Sequence, residues 1–327
     1  MITVLASGPM ITLQDLGRPG YRASGVGLAG AMDPFALRLA NLLLGNEQGA
    51  AGIEIAASGL SIRFERDMAF AITGGDCAAC LDGRPLPPWW TMRGRKGQVL
   101  GLHPPRDASF AYLAIAGGFS VEPVFGSAST DLKGRFGGVE GRALKPNDLL
   151  KVNTIANPAP AMAGPEAGFG LSPRLLEKTP HEPVNLRIIT AAEYGALTPA
   201  SRDAFWESMW RLERDSSRVG YRLGGPELQL DTPMELFSHG ILPGVVQLPP
   251  SGQPVVQMVD GNTCGGYPRL GMIIAADLRR LAQSRPGETV RFVEVSQREA
   301  LAIAHEEDAF LRKVAHFVSL AAMRPKP

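Results

Sequence analysis

The sequence predicts a mainly β protein with some α-helix, built as two related halves. The 38 glycines and 27 prolines exceed their usual share, which favours short strands and turns over long helices. Apolar residues occur in many short runs separated by turn-forming residues. A similar order of apolar run, Gly-Gly pair, small-residue loop, Asp-Leu and basic-Pro turn also occurs twice, within residues 110–152 and 255–292.

The composition argues against several classes of function. The 33 basic and 32 acidic residues give a net charge of +1, so neither nucleic acid nor a membrane surface is expected as the main partner. No apolar run is long enough to span a bilayer, and the first residues lack the pattern of a secretory signal. The three cysteines cannot all pair. We therefore expect a soluble protein in the reducing cytoplasm.

The first half reads as a succession of short strands. Residues 1–13 alternate between apolar and polar side chains, as an edge strand and its return would. Asp82-Gly83 and Lys96-Gly97 are typical hairpin turns. Further strands are predicted at residues 53–55, 60–64, 68–73, 99–102 and 110–116.

One helix is predicted in this half. It begins at Asp33-Pro34, with Asp33 as N-cap and proline in the first turn, and Gly45 ends it. The preceding residues 25–30 match G-x-G-x-x-G but lack the buried strand that a dinucleotide site needs. A glycine loop that leads into a helix N-terminus can still hold an anion, so a ligand there stays open.

The Cys77-x-x-Cys80 motif does not fit a metal or redox site. Zinc would need a second pair of cysteines, and the only other cysteine is Cys264. A thioredoxin-type motif would open a helix, whereas this segment has the pattern of a strand. We predict structural cysteines that bind no metal.

The Pro-, Ala- and Gly-rich residues 156–183 predict a linker. The predicted domains are then residues 1–155 and 184–295, followed by a C-terminal helix and tail over 296–327. Other predicted elements are a strand at 186–190, a helix at 198–212 and a helix at 277–283. The helix at 198–212 is expected to bury Phe205, Trp206 and Met209, with Trp210 on the same face as Trp206. A capping box at Ser296 predicts a last helix that continues to about residue 318.

The stretch richest in chemical groups is residues 255–278. Asp260 interrupts an apolar run, and a loop follows with Thr263, the pair Gly265-Gly266 and Tyr267. Glycine permits positive φ and close approach of the backbone to a ligand, and the polar groups can orient a small molecule. The alternative is a β-turn with no binding role. His239 is the only histidine beside a glycine loop, which alone is weak support for a general base.

Seven ordered motifs resemble those of the allophanate hydrolase subunit 2 family. This group includes the kinase-inhibitor antagonist, the C subunit of 5-oxoprolinase and the carboxyltransferase part of urea carboxylase. The resemblance covers about residues 1–295. The motifs are QDLGRPGY at 14–21, GAMDP at 30–34, ANLLLGN at 40–46, GSASTDL at 126–132, RVGY at 218–221, GVVQLP at 244–249 and DGNTCGGYP at 260–268.

The resemblance implies two tandem cyclophilin-like β-barrel domains with peripheral helices. It also implies ATP-dependent cleavage of 5-oxoproline to glutamate, together with a subunit 1 (kinase-inhibitor-like) partner and a third, lactam-hydrolysing subunit. The alternatives are biotin-dependent carboxyl transfer to urea or a related amide, and a non-catalytic regulator that binds a kinase-inhibitor protein. ATP would act through the complex and biotin only in the carboxyltransferase alternative. The sequence contains no Walker motif and suggests no metal, so we expect a subunit that is inactive alone.

The family motifs also assign candidate site residues. Where the family loop commonly has Gln-Thr-Thr, this chain has Asn262-Thr-Cys264, which shortens one amide arm. Asp260, Thr263 and Tyr267 are the catalytic candidates. The substrate-binding candidates are Arg18, Tyr21, Asp33, Arg218, Tyr221, Gln247, Gly265 and Gly266.

Overall fold

The computed structural model describes residues 1–153, 168–172, 183–234 and 236–323. Residues 321–323 are described by their backbone only. The chain divides into two compact units. The first comprises Met1–Arg18, Ala29–Glu177 and Asp308–Pro327, and the second comprises Pro19–Leu28 and Lys178–Glu307. Most of the predicted linker lies outside the described residues, so the predicted domain boundaries stay a prediction.

Two antiparallel sheets form the first unit. One has the order β11-β1-β4-β9-β6-β7 and the other β2-β3-β10-β5-β8. The strands predicted at residues 53–55, 60–64, 68–73, 99–102 and 110–116 are confirmed, as are the turns at Asp82-Gly83 and Lys96-Gly97. The strands are β1 Ile2–Ala6, β2 Thr12–Gln14, β3 Gly52–Ala56, β4 Leu60–Phe64, β5 Met68–Gly74, β6 Cys80–Leu81, β7 Arg84–Pro85, β8 Trp90–Gly94, β9 Val99–Leu102, β10 Phe110–Ile115 and β11 Leu149–Leu150.

The prediction of an edge strand and its return over residues 1–13 is wrong. β1 pairs with β4 on one side and β11 on the other, whereas β2 pairs with β3 in the second sheet. Both runs carry apolar side chains into the single core between the sheets, where Phe64 and Phe70 stack with ring centroids 5.3 Å apart. Burial against this shared core thus decides the pairing, although the two strands are neighbours in sequence.

The predicted first helix, α1 (Pro34–Leu43), is confirmed. The Asp33 carboxylate accepts a hydrogen bond from the Ala36 amide at 3.0 Å, and Gly45 has a φ of +70° just beyond the helix. Small residues let the helix approach the outer face of β5 and β10 closely. This contact joins Ala40, Leu43 and Leu44 to Ala69, Ala71 and Ala114.

The second unit is a closed seven-stranded barrel with the order β12-β19-β16-β17-β14-β13-β20. All its pairs are antiparallel except β12 with β20. A separate two-stranded ribbon pairs β15 with β18. The mainly β fold predicted for the chain is therefore confirmed. The strands are β12 Val184–Thr190, β13 Trp210–Leu212, β14 Gly220–Gly224, β15 His239–Gly240, β16 Val245–Gln247, β17 Val255–Gln257, β18 Cys264–Gly265, β19 Arg269–Ile273 and β20 Thr289–Glu294.

Helices are present at all three further predicted places, although the first of them is shorter than predicted. They are α2 (Pro199–Glu207), α3 (Ala275–Ala282) and α4 (Gln297–Met323). The predicted capping box is present before α4, where Ser296 and Glu299 exchange side-chain and backbone hydrogen bonds. No helix in the described part of the chain is long and apolar enough to cross a membrane.

The prediction that the second helix continues to Leu212 is wrong. The backbone turns extended at Ser208, and Trp210 pairs with Val290 in the barrel. Trp210 is fully buried in this strand, whereas Met209, predicted to be buried, is half exposed. A long-range strand pairing therefore overrides the helical spacing of the aromatic residues.

The cysteines of the C-x-x-C motif are both free. Cys77 lies in the apolar core of the first unit, and burial raises the pKa of its thiol to about 12. Cys264, by contrast, is exposed. A hydroxyl at position 77 would lose its contacts with water and find an apolar surrounding.

We therefore expect Cys77→Ser to lower the free energy of unfolding by about 1–3 kcal/mol. Cys264→Ser serves as the exposed control and should change it by less than about 0.5 kcal/mol. Denaturant unfolding of both variants provides the measurement. Equal stability of the two variants would contradict a structural role for Cys77.

Candidate functional site

The candidate site lies on one face of the barrel strands β16 and β17. Both strands have the sequence Val-Val-Gln. Val246 and Val256 pair with each other and are fully buried, and the glutamines alternate with them along the strands. Gln247 and Gln257 therefore lie on the opposite face of the strands. The loop that contains Gly261 and Gly265 approaches them there.

The structure pairs two of the predicted site residues, Asp260 and Arg218. The Arg218 guanidinium donates to both carboxylate oxygens of Asp260, with Nε–Oδ2 at 2.7 Å and Nη2–Oδ1 at 3.0 Å. Their side chains are only 10% and 7% exposed, and the Asp260 amide donates to the Arg218 carbonyl at 2.9 Å. This bidentate, charge-assisted pair fixes the start of the loop against the segment that leads into β14.

Two glutamines, one buried and one partly buried, lie side by side beneath the loop. Gln257 Nε2 donates to Gln247 Oε1 at 2.9 Å. Gln247 is 3% exposed. Its Nε2 and Gln257 Oε1 are shielded from solvent and have no hydrogen-bond partner among the described residues. Gln257 was not predicted as a site residue, although the second Val-Val-Gln triplet, ten residues after the first, was a visible sign of it.

The ribbon β15–β18 covers this pair. His239 lies opposite Gly265 and Gly240 opposite Cys264. A Cβ atom at Gly265 would lie 2.6 Å from Ile241 Cδ1 and 3.2 Å from Gln247 Nε2. The close approach predicted for the glycine pair is thus present, but neither Gly265 nor Gly266 adopts the left-handed backbone that was given as the other reason.

Gly266 should tolerate a side chain poorly. A Cβ there would lie 2.6 Å from the carbonyl oxygen of Leu236, whereas at Gly240, in the adjacent ribbon, no described atom lies within 4 Å. We expect Gly266→Ala to lower the free energy of unfolding by about 1–3 kcal/mol because the backbone must shift. Gly240→Ala is the matched control and should be near neutral. Similar unfolding curves for the two variants would rule out this steric account.

A residue that was not predicted, Arg22, anchors the loop. It lies in a short 3₁₀ helix, Arg22–Ser24, in the segment that belongs to the second unit. Its Nη2 donates to the carbonyl oxygens of Ile241 and, at 2.9 Å, Asn262. Burial lowers the pKa of its guanidinium from the ordinary value. The same segment carries the predicted residue Tyr21, whose side chain is 39% exposed.

Arg18 and Asp33, two other predicted binding residues, belong to the first unit. Arg18 is fully buried, donates to the Ser129 carbonyl and lies over the Phe136 ring, 4.7 Å from its centroid. Asp33 caps α1. In the second unit, the buried Tyr221 hydroxyl donates to the Ala282 carbonyl at 3.0 Å at the end of α3. These contacts give all three side chains a role in the fold.

The remaining candidates lie at the more exposed side of the loop. Tyr267 is 47% exposed, and Thr263 is half-buried, with its carbonyl accepting from the Ile241 amide at 3.0 Å. His239 Nδ1 lies 3.2 Å from the Phe237 carbonyl, and its buried Nε2 has no partner within the described ranges. Those ranges contain no cluster of three or more His, Cys, Asp or Glu side chains that could hold a metal.

Comparison with known proteins identifies the family. The family model "Carboxyltransferase domain, subdomain A and B" matches residues 24–294. The chain is 42% identical to the C subunit of 5-oxoprolinase from Escherichia coli, covering 96% of this chain and 98% of that protein. It is 37% identical to the C subunit of 5-oxoprolinase from Haemophilus influenzae, covering 97% and 99% respectively.

A solved structure also matches this chain over most of its length. The crystal structure of Kluyveromyces lactis urea amidolyase matches with a TM-score of 0.86 at 26% identity, over 96% of this chain. This chain spans 20% of that larger one. The resemblance noted from the seven motifs is thus confirmed. The chain belongs to the carboxyltransferase domain family that contains subdomains A and B.

Proposed function

We propose that this chain is the C subunit of a 5-oxoprolinase. The observation that carries the proposal is the match to two proteins of that name over 96% or more of this chain and 98% or more of theirs. In this proposal the chain works with a subunit 1 (kinase-inhibitor-like) partner and a third, lactam-hydrolysing subunit. The complex uses ATP to cleave 5-oxoproline to glutamate.

The geometry of the second unit supports a site for a small amide. Asp260 is held by Arg218, so its position is fixed relative to the loop. The Thr263 hydroxyl and the half-exposed Tyr267 phenol lie further along the same loop and can exchange hydrogen bonds with a ligand or a partner protein. We propose Asp260, Thr263 and Tyr267 as the residues that this chain contributes to catalysis.

A second candidate is biotin-dependent carboxyl transfer to urea or a related amide. The family description and the fold similarity to urea amidolyase favour it. Both candidates place a small amide at the site and differ in the activating cosubstrate, which is ATP in one and carboxybiotin in the other.

The test is to purify this chain with and without its subunit 1 partner. We expect ATP-dependent release of glutamate from 5-oxoproline by the assembled complex and none by this chain alone. Rapid turnover by the isolated chain would contradict the subunit role. Carboxylation of urea by carboxybiotin, without glutamate release from 5-oxoproline, would favour the second candidate. A tight complex that does neither would indicate a regulator.

A further inference from the structure

We propose that Gln247 and Gln257 together recognise the amide group of the substrate. Each side-chain amide has one donor end and one acceptor end. One donor and one acceptor are used in the bond between them, with Gln257 Nε2 donating to Gln247 Oε1 at 2.9 Å. What remains is one donor, Gln247 Nε2, and one acceptor, Gln257 Oε1.

This pairing has the same result whichever way the amides are oriented. If both are turned over, Gln247 donates to Gln257, and the pair again leaves one donor and one acceptor. A primary amide or lactam presents an acceptor carbonyl next to a donor N–H. The glutamine pair therefore offers the donor and the acceptor that an amide needs, whereas an ester or lactone, which has no N–H group, can use only the donor.

The surroundings of the pair support a ligand site. Buried polar groups in folded proteins are nearly always hydrogen-bonded, so two neighbouring ones without a described partner call for an explanation. Gly265 and Gly261 approach them closely, so the backbone of the loop, rather than a side chain, lies against the two polar atoms. A Cβ at Gly261 would lie 2.8 Å from Gln257 Oε1.

The covering element is one that can be displaced. The ribbon β15–β18 has two residues in each strand, and isolated two-stranded ribbons are marginally stable. Gly240, Asn262 and Cys264 of this region are all exposed. In this proposal a ligand reaches the glutamines when the ribbon moves away from β16 and β17, which requires the contacts of Arg22 with the Ile241 and Asn262 carbonyls to break.

This inference rests on the proposed function for the identity of the amide but can be tested apart from it. The probes are 5-oxoproline and its lactone analogue, in which the ring N–H is replaced by oxygen. Binding of each to the assembled complex is measured by calorimetry, and glutamate release is measured separately. The variants are Gln247→Met and Gln257→Met, which keep the size of the side chain but remove its amide.

Gln253→Met is the matched control, because Gln253 lies in the same unit and bonds only the exposed backbone of Gly225 among the described residues. Unfolding curves of all three variants identify any that fail to fold. If either site variant unfolds, Gln247→Glu supplies a second test, since its carboxylate still accepts from Gln257 but has no donor end.

We expect the wild-type complex to prefer the lactam over the lactone by at least ~10²-fold. This preference should fall to within about threefold in the two site variants and persist in Gln253→Met. Retained preference in folded site variants, or equal binding of lactam and lactone by the wild type, would overturn the inference. A complex that shows the lactam preference without releasing glutamate would overturn the proposed function and leave the amide site standing.

Discussion

Replacing Asp260 by asparagine is expected to lower the free energy of unfolding of the second unit by about 3–5 kcal/mol. The carboxylate and the Arg218 guanidinium are joined by two hydrogen bonds of 2.7 and 3.0 Å, and both side chains are at least nine-tenths buried. Asparagine keeps the shape but removes the charge, which leaves the arginine in a poorly solvated position. The loop 260–268 should then lose its fixed start.

The matched control is Asp215→Asn. Asp215 forms an ion pair with Arg222 in the same unit, but the two side chains are 67% and 58% exposed. Because water screens this pair, the control should cost no more than about 1 kcal/mol. Denaturant unfolding measures both variants. A similar small loss for Asp260→Asn would show that the buried pair does not stabilise the loop.

The same variant also tests the catalytic proposal for Asp260. At a temperature where the variant is folded, turnover by the assembled complex should fall by about 10²-fold, the scale of a lost charged catalytic group. The folded fraction is measured in parallel. If turnover follows the folded fraction alone, Asp260 positions the loop and takes no part in catalysis.

Asp277→Asn is expected to lower the free energy of unfolding by about 3 kcal/mol. The Asp277 side chain is fully buried in the first turn of α3. It accepts hydrogen bonds of 2.7–2.8 Å from the Arg187 amide, Nε and Nη2. These bonds raise the pKa of the Arg187 guanidinium and attach α3 to β12. Asparagine cannot satisfy three donors with one carbonyl oxygen.

A double-mutant cycle checks this assignment. Removing the charge of Arg187 as well, in Arg187→Gln with Asp277→Asn, should cost less than the sum of the two single changes. The coupling free energy between the sites is expected to exceed about 1 kcal/mol. Additive losses of unfolding free energy would mean that Asp277 stabilises the protein through its position in the first turn of α3 and not through its ion pair with Arg187.

The sequence predicted the strands of the first unit well because their physical causes are local. Short apolar runs and glycine turns set their positions, and the cap at Asp33 set the start of α1. The helix through Trp210 failed because a partner some 80 residues away, Val290, decides that segment.

The candidate site was predicted less completely, and for a similar reason. The polar and glycine residues of the loop at 260–268 mark it in the sequence. The contacts of Arg22 with Ile241 and Asn262 join residues more than 200 positions apart, and no local pattern marks them. The ribbon strands have two residues each, too short for any periodicity to be seen. Gln257 was missed although it ends a second Val-Val-Gln triplet, because the sequence does not show that the two triplets pair with each other.

The assignment of Pro19–Leu28 to the second unit has a consequence for how the chain can be divided. A single cut within residues 156–183 would yield a C-terminal fragment without Arg22, whose guanidinium holds the carbonyls of Ile241 and Asn262. The N-terminal fragment would keep those ten residues and lose the residues they contact. A cut at the predicted linker therefore does not separate the two units, because one segment of the second unit stays on the N-terminal fragment.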